Sequence, residues 1–240
     1  MDRPFFRSVL LGLWMLLLCP GPGPARGAAV PDAETLLTQM KEAWSQVKDY
    51  KATVEVRTRK AGGLFEVRKF LYTFKKPGCI RLDFESPHRG MILIFPDEEG
   101  KVLLRPSGIA RLFRFHLAKD SPLLVGASGQ RIDQTDLGQL IHNIGHSLTD
   151  GCLGPAAITR EGKRVQIRVL AVDHFRSNVA TLYRFFLDED LHLPVEVEES
   201  TPGGLLERRV TFGDLQLNGE VPDSLFRPVG GPCAGGADEN

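Results

Sequence analysis

The chain has 240 residues, with 30 Lys+Arg balanced by 30 Asp+Glu, and 42% of its residues are hydrophobic. It is long enough to bury a full core as one domain, and its balanced charge leaves no footprint for nucleic acid. Past the N-terminus no run is long and apolar enough to span a bilayer.

Residues 1–29 read as a cleaved signal peptide. Arg3 and Arg7 precede an apolar run over residues 8–18, and small residues follow between Ala25 and Ala29. A competing reading makes Cys19 a lipidation site, because it ends the apolar run as a lipoprotein cysteine would; Leu18 before it and Pro20 after it argue against this. Cleavage removes Arg3, Arg7, Arg26 and Asp2 and leaves 27 basic against 29 acidic residues, a balance of −2. Residues 30–228 read as a single domain, and residues 229–240 as a flexible Gly-rich tail. Cys79, Cys152 and Cys233 survive cleavage, and export permits one disulfide among them. Their pairing is left open, with Cys79–Cys152 favoured because Cys233 lies in the tail.

The first element is a helix. Asp32 is placed to cap it and Glu34 to meet its dipole, while Leu36, Leu37, Met40, Ala43, Trp44 and Val47 form one apolar stripe. From Tyr50 the period changes to two, with Tyr50, Ala52, Val54 and Val56 on one face. After Gly62-Gly63 a second strand begins with Phe65 and Val67 inward but continues with Phe70, Tyr72 and Phe74 in the opposite phase, which predicts a bulge near Arg68-Lys69. Ile80, Leu82 and Phe84 alternate in a third strand, residues 91–96 and 101–104 flank a turn, and Phe113, Phe115 and Leu117 mark a short sixth.

Residues 121–136 read as loop, and Ser128 in it lacks the G-x-S-x-G context of a hydrolase nucleophile. A second helix carries Leu137, Leu140, Ile141, Ile144 and Leu148 on its stripe and Gly138 and Gly145 together on one flank, where another backbone could approach closely. His142 and His146, four apart, have the spacing of a metal pair, yet both fall away from the stripe and lack the glutamate of a zincin motif. Three strands follow, over residues 156–160, 164–172 and 179–187, and the last, with Leu182 and Phe186 opposite Tyr183 and Phe185, predicts burial on both faces. The run over residues 193–212 is an antiparallel hairpin turning at Thr201-Pro202-Gly203-Gly204, and residues 222–226 read as an anchor returning Phe226 to the sheet.

This order of elements resembles the LolA/LolB family of periplasmic lipoprotein-sorting proteins, with RseB-type sensor domains as relatives. The residues that carry it are MKEAWSQVKDY running straight into a strand, the Lys75-Lys76-Pro77 step, the ILIFPDEEGKVLL hairpin and the meander over residues 193–226. The resemblance implies an α+β fold: a strongly curved antiparallel sheet, an incomplete, half-open β-barrel whose concave face is covered by helices. It also implies that a basic residue before a proline helps hold the lid, a place Lys76 occupies.

The expected function is therefore a periplasmic carrier or binding protein for the acyl chains of lipoproteins or lipids. Leu36, Met40 and Trp44 are the candidate lipid contacts on the lid, and Ile80, Leu82 and Phe84 those on the sheet. The alternative is an RseB-like module docking an envelope membrane protein or its lipid anchor. No nucleophile with a nearby base, phosphate loop or metal cluster stands out, so the reading is non-enzymatic, without cofactor or nucleic acid, and monomeric.

Overall fold

The computed structural model describes residues 31–125 and 129–227. The expected leader, Cys19, Ser128, Cys233 and the Gly-rich tail lie outside the described residues. Helix α1 (Ala33–Gln46) starts where the Asp32 carboxylate accepts the Thr35 amide at 2.7 Å, satisfying one of the free donors of its first turn. Six strands follow: β1 (Asp49–Arg59), β2 (Phe65–Lys75), β3 (Cys79–Ser86), β4 (Ile92–Phe95), β5 (Val102–Arg105) and β6 (Phe115–Leu117). Helix α2 (Leu137–Leu148) then leads to β7 (Ala157–Glu161), β8 (Arg164–Val172), β9 (Ala180–Asp188), β10 (Leu193–Ser200) and β11 (Leu206–Leu217).

The fold is α+β, one antiparallel sheet of eleven strands in the order β6-β5-β4-β3-β2-β1-β11-β10-β9-β8-β7, not closed into a barrel. The first and second meanders meet where β1 pairs with β11, Val54 opposite Phe212 and Val56 opposite Val210. The β10–β11 hairpin therefore sits near the middle of the sheet, and every strand but β6 and β7 has two neighbours. The phase change in the second strand is a register shift against β3 between Lys69 and Phe70, after which Phe70, Tyr72 and Phe74 are all buried on one face.

Both helices cover that face, in a core that runs from Val102 of β5 to Val165 of β8. The opposite face is covered only locally. There the short 3-10 turn Asp223–Phe226 places Phe226, with Val221, against Cys79, Ile94 and Leu103. Lys75 Nζ meets Asp223 at 2.5 Å and Arg81 donates to the Leu225 carbonyl at 2.9 Å, so the anchor is pinned by polar contacts as well.

Two expectations are corrected. In β9 Tyr183, Phe185 and Leu187 are buried, but Leu182 and Phe186 on the opposite face remain partly exposed, because no helix covers that face here. The favoured Cys79–Cys152 disulfide is not formed: Cys79 is disulfide-bonded while Cys152 is a free thiol. The reason is topological, since Cys79 packs with Phe226 on the uncovered face and Cys152 packs against the core under the helices.

Candidate functional site

Under the helices the sheet is not fully covered. Val54 and Val56 of β1, Phe70 and Tyr72 of β2, Phe185 of β9 and Val210 and Phe212 of β11 floor a cavity of about 650 Å³. Leu140 and Asn143 of α2, with Gln130, Gln134 and Thr135 of the preceding loop, form its roof. A second cavity of about 820 Å³ extends over Leu82 and Phe84 of β3 and Leu93 of β4, with Leu124 and Ile132 above. Val56, Phe70, Gln130, Thr135 and Arg208 line both, so the two are lobes of one groove. Both lobes open to solvent, and each volume includes its mouth.

The start of α2 is tied to β1 and β2 by side-chain hydrogen bonds, and its stripe packs on the core along its length. The Tyr50 hydroxyl accepts the Leu137 amide at 3.2 Å, and Tyr72 Oη lies 3.0 Å from Thr135 Oγ1. Asp136 caps the helix, accepting from Gly138 at 2.7 Å and Gln139 at 3.1 Å, and its burial raises its pKa. Helix α1 packs on α2 at the two glycines singled out in the sequence. A Cβ at Gly138 would sit 2.6 Å from the Trp44 ring and one at Gly145 would sit 3.5 Å from Leu37, so the missing side chains are replaced by those of α1.

The expected site residues share this face but divide between two regions. Leu82 and Phe84 line the second lobe. Leu36, Met40 and Ile80 are buried in the core between helices and sheet, and line neither lobe. Trp44, half-buried, has its ring 5.5 Å from Phe74 and 6.2 Å from Tyr50. Lys76 touches α1: its Nζ donates to the carbonyls of Trp44 at 2.8 Å and Ser45 at 3.3 Å and lies 4.8 Å above the Trp44 ring. A cation on the last carbonyls of a helix satisfies acceptors that the helix cannot, and burial lowers the pKa of this lysine.

The polar centre of the groove was not anticipated. Arg208 of β11 donates to Glu199 of β10 at 2.6 Å and to the Gln130 side-chain oxygen at 2.6 Å, tying the roof loop to the floor between the lobes. One sign of it is in the sequence, where Glu198 and Glu199 break the alternation and so put a carboxylate on each face. Glu198 faces the other side and pairs with Arg184 at 2.5 Å and with Arg209.

His174 also lines the first lobe, stacked on Tyr183 at 4.4 Å with its Nε2 2.8 Å from Ser147 Oγ. This places a hydroxyl beside an imidazole, a juxtaposition invisible in the sequence because the two residues are 27 apart. Ser147 is fully buried and lines neither lobe, so its hydroxyl is not presented to a substrate. His142 and His146 are exposed on α2, and no group of metal-ligating side chains is found among the described residues.

Burial pulls the His174 pKa down to about 4, so it is neutral in the folded chain at pH 7. Between about pH 6.5 and 4 the unfolded chain binds the extra proton and the folded one does not, so stability falls as pH drops through that window and levels off below it. The expected loss is on the order of 3 kcal/mol. Urea midpoints at pH 7 and 4.5 check it: His174→Gln flattens the difference, and an equal fall in both proteins sinks the assignment.

No protein-family model matches the chain, and no curated protein matches it in sequence. Solved structures do match it in shape. LolA-superfamily and MucB structures are among these neighbours. A LolA superfamily protein from Nitrosomonas europaea is 12% identical over 83% of this chain and 98% of that one, with a TM-score of 0.37. A putative outer membrane lipoprotein-sorting protein domain from Vibrio parahaemolyticus is 12% identical over 81% of this chain and 97% of that one, with a TM-score of 0.43. MucB in the Pseudomonas aeruginosa MucA/MucB complex is 16% identical over 82% of this chain, which spans 61% of that one, with a TM-score of 0.43.

Proposed function

We propose that the chain is an exported, periplasmic binding protein or carrier for the acyl chains of lipoproteins or other lipids, acting by burial and without covalent chemistry. The supporting observation is the two-lobed groove, whose floor is apolar and aromatic and whose roof is a helix end and a loop. A hydrocarbon suits the apolar stretches of the floor, which flank the polar centre made by Arg208, Glu199 and Gln130. Ten to sixteen methylenes buried at about 0.8 kcal/mol each contribute roughly 8–13 kcal/mol, of which association costs at least about 4. The net of roughly 4–9 kcal/mol corresponds to dissociation constants between about 1 mM and just under 1 µM, a reversible range suited to a carrier.

In this reading Leu82 and Phe84 contact the chain, while Leu36, Met40, Trp44 and Ile80 fix the helices to the sheet and Lys76 holds the end of α1. Titration with a fluorescent fatty acid is expected to saturate, and native mass spectrometry of protein from its own host to show a bound lipid mass. Linear, non-saturating fluorescence together with a lipid-free mass overturns the proposal. Stoichiometric recovery of an envelope membrane protein without lipid favours a docking module in its place.

A further inference from the structure

The strands of the sheet all end at one of two rims, and the two rims differ in charge. The antiparallel registers put the β1–β2 turn (residues 60–64), the β3–β4 turn (87–91), the β5–β6 connection (106–114) and the β10–β11 turn (201–205) at the same rim. None of these four segments contains an Asp or Glu, and together they carry Lys60, Arg89, Arg111 and Arg114. The one acidic residue of the neighbouring β8–β9 connection, Asp173, is buried and paired with Arg176. At the opposite rim the β4–β5 and β9–β10 turns hold Asp97, Glu98, Glu99, Glu189 and Asp190 against Lys76, Lys101 and Lys163, and all of these acids but Glu98 are paired: Asp97 with His116, Glu99 with Lys101, Glu189 with Arg160 and Asp190 with Lys163. The connections at the two rims thus differ in net charge, positive at the first and weakly negative at the second.

The basic rim is also the apolar one. Ile109 is 93% exposed, Leu112 82%, Leu64 78%, Phe113 62% and Leu205 53%, and Arg111 and Arg114 are interleaved with three of them. Arg89, Arg105, Arg111 and Arg114 enter none of the ion pairs among the described residues. Large apolar side chains left in water beside unpaired guanidinium groups fit an interface where hydrocarbon lies just beneath negative charge. The groove opens at this end, because Thr58, Lys60 and Arg68, at the rim ends of β1 and β2, line its second lobe.

We infer that this rim is a membrane-docking surface, which seats Ile109, Leu112 and Leu64 in the interface of an anionic bilayer with the arginines on its phosphate groups. The inference rests on the acyl-chain reading of the groove and adds the route: the mouth of the second lobe faces the lipid, so a chain passes between bilayer and groove without crossing water. The acidic rim points away, and charge sets the orientation before the apolar side chains enter.

Flotation with vesicles tests it, comparing phosphatidylcholine alone with phosphatidylcholine containing phosphatidylglycerol. The full chain is expected to float with the phosphatidylglycerol vesicles and to be released by salt. Arg111→Glu with Arg114→Glu is expected to weaken partitioning by roughly tenfold or more. Ile109→Glu with Leu112→Glu weakens it similarly, and Lys163→Glu at the opposite rim leaves it unchanged. These residues are exposed, so melting temperatures stay constant. Wild-type protein that saturates with a fatty-acid probe yet floats with neither vesicle overturns the docking inference alone, as does binding that the rim variants leave intact. Salt-sensitive flotation without fatty-acid binding overturns the groove reading and leaves the docking surface standing. Capture by a membrane protein that the rim variants abolish, with no flotation, assigns the surface to a protein and also overturns the inference.

Discussion

Val56→Trp is expected to lower affinity for a fluorescent fatty acid by at least about tenfold, or roughly 1.4 kcal/mol, while leaving the chain folded. Val56 is half-buried on β1 and lines both lobes, so an indole there takes up room in each. The ring enters space already empty of protein atoms, so overpacking is small and the melting temperature moves little. Shorter probes that fit one lobe should lose less than longer ones. A folded Val56→Trp protein that binds long and short probes as well as the wild type does would mean that hydrocarbon does not lie here.

Arg208→Met is expected to be the most damaging single change at the site. The side chains of Arg208 and Glu199 are 14% and 8% exposed, so removing the cation strands a carboxylate away from water. Breaking a buried pair in this way costs about 3–5 kcal/mol, against much less for removing both charges. In a domain of this size that lowers the melting temperature by roughly 6–20 °C. Adding Glu199→Gln to Arg208→Met should restore much of the loss, because the remaining amide carries no charge. Equal melting temperatures for the single and double variants would sink the assignment of the loss to a stranded charge at Glu199. The same pair ties Gln130 to the floor, so the single variant should also loosen the roof loop.

The elements themselves were legible because their signals are local. Asp32 at the start of α1, the alternation from Tyr50, the phase change at Arg68-Lys69 and the stripe of α2 each rest on a few adjacent residues, and each lies where its pattern put it. Gly138 and Gly145 marked a close approach, although what approaches them is the Trp44 and Leu37 side chains rather than a backbone. Periodicity reports that a face is apolar but not what covers it. The β9 pattern shows the limit, since Leu182 and Phe186 are hydrophobic but lie where no helix lands.

By itself the sequence determined the alternation of the strands, the two amphipathic helices and the β10–β11 hairpin, since each depends on the intrinsic period of the backbone. Only the tertiary structure decided that α2 and its preceding loop, rather than α1, roof the groove, because that depends on Tyr50 and Tyr72 catching the loop from strands far away in the chain. It also decided that Arg208 meets Glu199 and Gln130, that Cys79 and Cys152 stand on opposite faces, and that four acid-free connections share one rim. Strand register brings such residues together, and register is fixed by the packing of the whole face rather than by any segment of it.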